Sequence, residues 1–279
     1  MNEKYTNVIK KNLLFQETDR TDITYQFQSH EYQLLEAEYH IAQVAGDNDL
    51  LKALNLLEWV NLHIRHTGNY DNSDTQDAMT LLAVAFDKDY GINCLAMSII
   101  LCECLLAVQV KARVMYMMPQ EAEDGDNHVV VEAFVQELGK WIMLDPTYGS
   151  YCTDLQGNIL NLYEIREAIA EDEEYFFCDK LNYNGNKDVD LADLKDYYAK
   201  NLFFLRCKSC QGYGLHREYG NMLEIAPLNF DVHERMVKNL QYRIQEYGDF
   251  PLFTIWKNYE ESLCNKYVSI EQLYATPMA

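Results

Sequence analysis

The sequence predicts an α+β fold in which one buried helix packs against an antiparallel sheet. Residues 94–108 are apolar on nearly every helical face, which is the pattern of a helix inside a core. Three runs rich in β-branched and aromatic residues follow at 110–118, 128–136 and 141–145, with turn formers such as Gly139 between them. Consecutive runs of this kind predict an antiparallel meander. A helix followed by such a meander belongs to the α+β class.

Further helices are predicted before the buried helix. Apolar residues recur at spacings of three and four over 29–44 and, more strongly, over 49–66, and a shorter helix is predicted at 78–86. The first roughly 30 residues are polar, and we expect them to be irregular.

The pattern after the meander is more mixed. Helices are predicted at 158–170 and 191–198, and short strands at 201–206 and 222–227.

No internal repeat and no Pro-, Gly- or Ser-rich linker divides the chain. We expect a helical extension at 1–45 and a central core at 46–170. The segment 171–279 is expected either to extend the sheet or to form a small appended lobe.

Composition and charge restrict the possible partners. The chain has 23 Lys and Arg against 44 Asp and Glu, a net charge of −21. Nucleic acids and anionic membrane surfaces attract cationic proteins, so we expect neither as a partner. No run of 18 or more apolar residues is present, and no transmembrane helix is predicted.

The eight cysteines are expected to be reduced thiols. The N-terminal MNEKYTNVIKKNLL lacks the long apolar stretch of a secretory signal, which predicts a cytoplasmic protein. Cys207 and Cys210 form one CxxC pair, with Cys178 and His216 as conceivable further ligands. A single pair is a weak zinc signal, so ordinary thiols are preferred and neither metal nor cofactor is expected.

Cys94 is the candidate nucleophile. It follows Gly91-Ile92-Asn93 at the predicted start of the buried helix. Free amide groups and the positive end of the helix dipole favour the thiolate there, and the Cys94 N–H is placed to donate to an oxyanion.

His128 and Asp145 are the candidate base and its orienting group. His128 opens one predicted strand and Asp145 closes the next, so an antiparallel pair brings them to the same end of the sheet. A two-residue turn at Leu138-Gly139 offsets them by four residues, roughly 13 Å. Direct opposition requires a turn centred between Gln136 and Glu137, or a bulge. Both registers are compatible with the sequence.

These segments resemble the transglutaminase-like superfamily. GINCLAMSIILCECLLAVQVKARVMY is similar to its Gly-x-x-Cys, buried helix and Ala-Arg-Val strand. HVVVEAFV and KWIMLDPTY are similar to its His-x-x-x-Glu strand and its Trp-x-x-x-Asp-Pro-Thr segment, and LEWVNLHIRH to the preceding helix of bacterial members. The likeness covers about residues 50–150. One departure is Val130, where the family often has an aromatic residue.

The resemblance implies a papain-like core, with a catalytic helix on an antiparallel sheet, and a catalytic triad of Cys94, His128 and Asp145. It implies a thiol-dependent amide hydrolase (a cysteine peptidase or amidase) or acyl transferase that acts on a peptide or protein. The alternative is a catalytically silent domain of the same fold that binds a peptide or protein in its cleft.

Two side-chain roles stay open at this point. Trp59, Gln76 and Asn93 are each conceivable as a side-chain oxyanion donor, although Trp59 is better explained as a helix-packing residue. Glu132, four residues after His128, is either a partner of the site or a solvated residue.

Overall fold

The computed structural model describes residues 2–17, 22–87, 91–217, 222–248 and 266–277. Its helices are α1 (Glu3–Lys10), α2 (His30–Tyr39), α3 (Ile41–Ala45), α4 (Asp49–His63), α5 (Ala78–Asp87), α6 (Cys94–Ala107), α7 (Leu162–Glu171), α8 (Leu191–Asn201), α9 (Val232–Tyr247) and α10 (Ile270–Tyr274). Its strands are β1 (Thr24–Tyr25), β2 (Ala112–Met118), β3 (His128–Val135), β4 (Lys140–Leu144), β5 (Cys152–Thr153), β6 (Phe176–Phe177), β7 (Phe204–Lys208), β8 (Cys210–Gln211), β9 (Met222–Ile225) and β10 (Lys266–Tyr267).

The central sheet has the strand order β10-β9-β7-β2-β3-β4. Strands β2, β3 and β4 form the predicted antiparallel meander, and β7 and β9 continue it in antiparallel pairing. Only the β9–β10 pair within the described part of this sheet is parallel. The α+β class predicted from the sequence is confirmed.

Strand β3 is buried on both faces. Val129, Val131 and Ala133 pack into the core that contains α4 and α6, whereas Val130 packs into a second core with α7 and α8. A strand covered on both sides needs apolar residues in nearly every position. This explains why HVVVEAFV is almost continuously apolar and does not alternate.

Helix α6 lies inside the first core. Every residue from Ala96 to Leu106 is buried, as the sequence predicted. The Ser98 hydroxyl donates to the Val129 carbonyl at 3.0 Å and ties the helix to β3. Helix α6 therefore packs on the antiparallel part of the sheet, which is the arrangement that the resemblance to the transglutaminase-like superfamily implied.

The N-terminal prediction of irregular structure is wrong. Residues 3–10 form α1, whose cap is Asn2, and Ile9 is fully buried. A helix with only two buried residues gives too short an apolar pattern to be recognised in the sequence.

Two helix boundaries also differ from the prediction. The single helix expected at 29–44 is split by His40, whose positive φ of 52° ends α2 before α3 begins. The helix expected from 158 begins only at Leu162, where Asn161 and Glu164 form a capping box.

The last third of the chain contributes β7, β9 and β10 to the central sheet. A buried cross-strand pair of Arg206 and Glu224, with Nε 2.9 Å from Oε1, joins β7 to β9. No helix in the described ranges is long and apolar enough to cross a membrane.

Candidate active site

Cys94 is the first residue of α6, and the preceding residues fix its position. The Asn93 side chain caps the helix by accepting from the Ala96 N–H at 3.0 Å. Ile92 pairs with the segment around His66, donating to the Arg65 carbonyl at 2.9 Å. A Cβ at Gly91 would lie only 3.0 Å from that same carbonyl, which explains the glycine. Cys94 as a whole residue is partly exposed at the helix N-terminus.

His128 and Asp145 are in direct contact, with Nε2 2.7 Å from Oδ2. The strand register that allows this differs from both hairpins considered above. Pairing of Val131 with Leu144 and of Val135 with Lys140 offsets His128 and Asp145 by two residues. Diagonal neighbours of this kind lie close enough for longer side chains to meet. The two-residue turn at Leu138-Gly139 is therefore wrong, and a four-residue connection, 136–139, replaces it.

The Asp145 carboxylate accepts four hydrogen bonds. Its Oδ2 binds His128 and the Tyr198 hydroxyl, the latter at 2.6 Å, and its Oδ1 accepts from the N–H groups of Thr147 and Tyr148. Burial opposes ionisation, but the charge of His128 and these donors hold the pKa of Asp145 below its ordinary value. Asp145 is thus a fixed negative charge.

The loop after Asp145 is held against α4. Asp145 and Ser150 exchange two backbone hydrogen bonds, which close the loop. The Asn61 amide donates to the Pro146 carbonyl at 3.2 Å. A Cβ at Gly149, where φ is 56°, would lie 2.6 Å from the Asn61 side chain, so the close approach requires glycine.

His128 and His66 act on the ionisation of the Cys94 thiol. Burial raises the pKa of the thiol, but the hydrogen bonds to His128 and His66 outweigh it and lower that pKa to about 6. Burial lowers the pKa of His128, while the charge of Asp145 outweighs this and raises it to about 10. Between these values the pair is a thiolate and an imidazolium.

His66 is a contact that the sequence analysis missed. Its segment runs beside Ile92, two residues before Cys94, where it lowers the pKa of the thiol, and its Nδ1 lies 2.9 Å from the Tyr183 hydroxyl. The only signal in the sequence was the pair Arg65-His66 at the end of the predicted helix 49–66, which indicated nothing about proximity to Cys94.

A series of ring contacts connects His128 with His66. The Tyr197 and Tyr148 rings lie 5.3 and 6.1 Å from the His128 ring, between centroids. Tyr148 contacts Tyr183 at 5.6 Å, and Tyr183 contacts the His66 ring at 5.5 Å. We call this series the aromatic arc (His66, Tyr183, Tyr148, His128 and Tyr197).

The residues considered as oxyanion donors are engaged elsewhere. The Asn93 amide donates to the Tyr70 carbonyl and to Asn72 Oδ1, both at 3.1 Å. The Gln76 amide donates to the Asp74 carbonyl.

Trp59, the third of these residues, packs against aromatic rings. Its centroid lies 5.3 Å from that of the His63 ring, and the Tyr39 and Phe86 rings are also neighbours. This is the helix-packing position preferred from the sequence.

Glu132 is neither a partner of His128 nor solvated. It is fully buried and pairs across the strands with Arg113, whose Nη2 lies 2.7 Å from Oε2. Its Oε1 accepts from the Leu162 N–H and the Tyr274 hydroxyl. Glu132 therefore joins β2 and β3 to α7 and α10.

The remaining cysteines form no disulfide within the described residues. Cys207 is buried in β7, whereas Cys210 in β8 is partly exposed. No group of three or more His, Cys, Asp or Glu side chains arranged to hold a metal occurs in the part of the chain that the structure describes. Cys264 lies outside the described residues.

Comparison with known proteins identifies the central segment. Residues 40–146, which include Cys94, His128 and Asp145, match the model of the transglutaminase-like superfamily. No curated protein matches the chain.

One solved structure is similar, that of a "Putative Cysteine Protease" from Cytophaga hutchinsonii. The likeness has 16% sequence identity and a TM-score of 0.30, and it covers 68% of this chain and 58% of that protein. The chain therefore spans less than two thirds of that protein, and so slight a likeness establishes no activity. The family match confirms the resemblance noted in the sequence, and it places the similarity to the transglutaminase-like superfamily in residues 40–146.

Proposed function

We propose that this protein is a thiol-dependent amide-bond hydrolase or acyl transferase in which Cys94 is the nucleophile, His128 the base and Asp145 the orienting group. One observation carries the proposal. Cys94 begins a helix and is partly exposed, its thiol pKa is lowered by a buried histidine, and that histidine is held by a carboxylate that accepts four hydrogen bonds. Structural cysteines and histidines rarely require such an arrangement, whereas a nucleophile with a matched base does.

The proposed roles of Cys94, His128 and Asp145 imply a sequence of proton transfers. The Cys94 thiolate attacks the amide carbonyl and forms a tetrahedral intermediate with a new C–S bond. His128, protonated in the resting state, gives its proton to the departing amine as the C–N bond breaks. The neutral imidazole then takes a proton from water or from an acceptor amine, which attacks the thioester and releases the thiolate.

Asp145 makes this cycle possible by fixing one ring nitrogen of His128. Because Nε2 donates to Asp145, Nδ1 is the nitrogen left to face the thiol. The first N–H groups of α6 have no partner within the helix and point toward the developing oxyanion. This chemistry requires neither a metal nor a cofactor.

The expected substrate is an amide in a peptide or protein. Hydrolysis is preferred over transfer to an amine because no feature of the described cleft selects an acceptor amine over water. The aromatic arc is suited to a flat or apolar side chain beside the scissile bond.

Selective alkylation tests the proposal. At pH 6, iodoacetamide is expected to modify Cys94 in the intact protein much faster than the other thiols, as located by peptide mass spectrometry. Cys94→Ala removes the fast phase, whereas Cys210→Ala, which deletes another partly exposed thiol, leaves it unchanged. Slow and uniform labelling of all thiols would instead favour a silent domain that only binds a peptide or protein.

Turnover is tested with a panel of peptide and protein amides. Wild type is expected to release ammonia or an amine from at least one member of the panel, and Cys94→Ala from none. Equal release by both proteins would contradict the proposed nucleophile.

A further inference from the structure

His66 is a second imidazole near Cys94, and its own environment differs from that of His128. This proximity comes from a backbone arrangement in which the His66 segment runs beside Ile92, two residues before Cys94. Asn184 holds the same backbone from the other side, because its Oδ1 accepts from the His66 N–H at 2.7 Å and its Nδ2 donates to the His66 carbonyl at 3.1 Å. The backbone of the His66 segment is therefore held by two other segments of the chain, one at Ile92 and one at Asn184.

The partner of His66 Nδ1 determines which ring nitrogen carries a proton. That partner is the Tyr183 hydroxyl at 2.9 Å, a neutral group that donates readily to a basic nitrogen. When Nδ1 accepts from Tyr183, the proton of the neutral imidazole resides on Nε2. Nε2 is also the nitrogen left to contact the thiol, since Nδ1 is occupied.

The two histidines therefore act on the Cys94 sulfur in different ways. His128 is bound to a buried carboxylate and exchanges a proton with the thiol, whereas His66 is bound to a phenol and presents a fixed N–H. A fixed donor stabilises a thiolate without removing its charge. It also lies within reach of the oxygen that becomes negative when the sulfur is acylated, since oxyanion donors act from about 3 Å.

We propose that His66 is a further catalytic residue that donates its Nε2–H first to the Cys94 thiolate and then to the oxyanion of the tetrahedral intermediate. This inference rests on the proposed function. It fills the side-chain donor role that the sequence left open, because the Asn93 and Gln76 amides are engaged elsewhere. Tyr183 is the positioning residue that fixes the His66 tautomer.

Two reagents that react with Cys94 test the two parts of this proposal separately: donation to the thiolate and donation to the oxyanion. Iodoacetamide reacts by displacement at carbon and forms no oxyanion, so its pH profile reports the thiolate alone. The aldehyde N-acetylglycinal adds to the thiol to form a hemithioacetal, whose oxygen occupies the oxyanion position. Its affinity is measured as protection of Cys94 from alkylation.

The variants are His66→Phe, His66→Gln and Tyr183→Phe, with His63→Gln as the matched control. His63 lies at the end of α4, is exposed, and binds the Trp59 carbonyl through Nδ1 at 2.8 Å. His66→Phe is expected to move the midpoint of alkylation to higher pH and to weaken aldehyde protection at least tenfold. His66→Gln, whose amide restores an N–H, is expected to recover part of both effects, and Tyr183→Phe to produce a smaller loss of protection. His63→Gln is expected to match wild type.

Wild-type aldehyde protection in His66→Phe would overturn the proposal, whatever happens to the midpoint of alkylation. If His66→Phe does not fold, as judged by its circular dichroism and melting curve, His66→Gln and Tyr183→Phe decide the matter. Full wild-type behaviour of both would then overturn the proposal. A failure of the proposed function has a different signature, since wild-type Cys94 would itself show no preferential alkylation at pH 6.

Discussion

Asp145→Asn tests whether the orientation of His128 controls the nucleophile. The wild-type carboxylate accepts from four donors, two on each oxygen. An asparagine must direct its NH₂ group at one of these pairs. The backbone N–H groups of Thr147 and Tyr148 cannot reverse their role, so the NH₂ turns toward His128 and Tyr198, which can accept. His128 then accepts at Nε2, carries its proton on Nδ1 and can no longer take the proton of Cys94.

The expected loss of alkylation rate in Asp145→Asn follows from the ionisation of the Cys94 thiol. With a pKa of about 6, half of Cys94 is thiolate at pH 6. If the variant returns to an ordinary thiol pKa of about 8.5, only about 0.3% is thiolate, a loss of about 150-fold. A more basic thiolate is intrinsically more nucleophilic, and with a Brønsted coefficient of about 0.45 this restores about tenfold. The net expectation is alkylation about tenfold slower at pH 6.

The assay is the rate of iodoacetamide modification at Cys94, followed by mass spectrometry from pH 5 to pH 9. Asp179→Asn makes the same carboxylate-to-amide change on an exposed residue and is expected to leave the profile unchanged. The variant's melting temperature verifies that it is folded. Wild-type reactivity of folded Asp145→Asn at pH 6 would refute this account of the triad.

Three further predictions concern buried polar groups. Tyr198→Phe removes one donor from the buried Asp145 carboxylate and is expected to lower the free energy of unfolding in urea by about 1–3 kcal/mol; an unchanged midpoint contradicts this. Burial raises the pKa of Glu103 to about 8. Because this folded-state value lies above the ordinary one, the group's contribution to stability is present at acidic pH and lost as pH rises through about 8. The free energy of unfolding should therefore fall by about 1.4 kcal/mol per pH unit between roughly pH 5 and pH 8, relative to Glu103→Gln; equal slopes would exclude this. Glu132→Ala leaves the fully buried Arg113 without its carboxylate and is expected to cost about 3–5 kcal/mol in urea unfolding, whereas a cost below about 1 kcal/mol shows that the pair is not needed.

The elements of the central core were predictable because their patterns are local. Helix α6 is apolar on all faces, and the three strands β2 to β4 are rich in β-branched residues, so each segment indicates its own structure. Helix α1 was not predictable because only Thr6 and Ile9 are buried, and two positions do not define a period. The break at His40 depends on one residue with positive φ, which residue type alone did not indicate.

The site was predictable in its composition and not in its contacts. Motifs indicated Cys94, His128 and Asp145, but the hairpin register that joins the last two depends on a four-residue connection of ambiguous sequence. Glu132 was ambiguous for a related reason. Its buried cation, Arg113, is 19 residues away and lies opposite it only once β2 and β3 have paired.

The surroundings of the site come largely from outside the family-matched segment. Tyr198, which binds Asp145, and Tyr197, which packs on His128, belong to α8, and Tyr183 lies in the loop before it. Residues 40–146 therefore contain the proposed nucleophile and its proposed base, while Tyr183, Tyr197 and Tyr198, all beyond residue 146, surround them. In the proposed reaction a substrate side chain would meet these rings and not the buried carboxylate, so we expect specificity to depend on this later segment. Two proteins that share the matched segment can thus differ in substrate without any change in the triad.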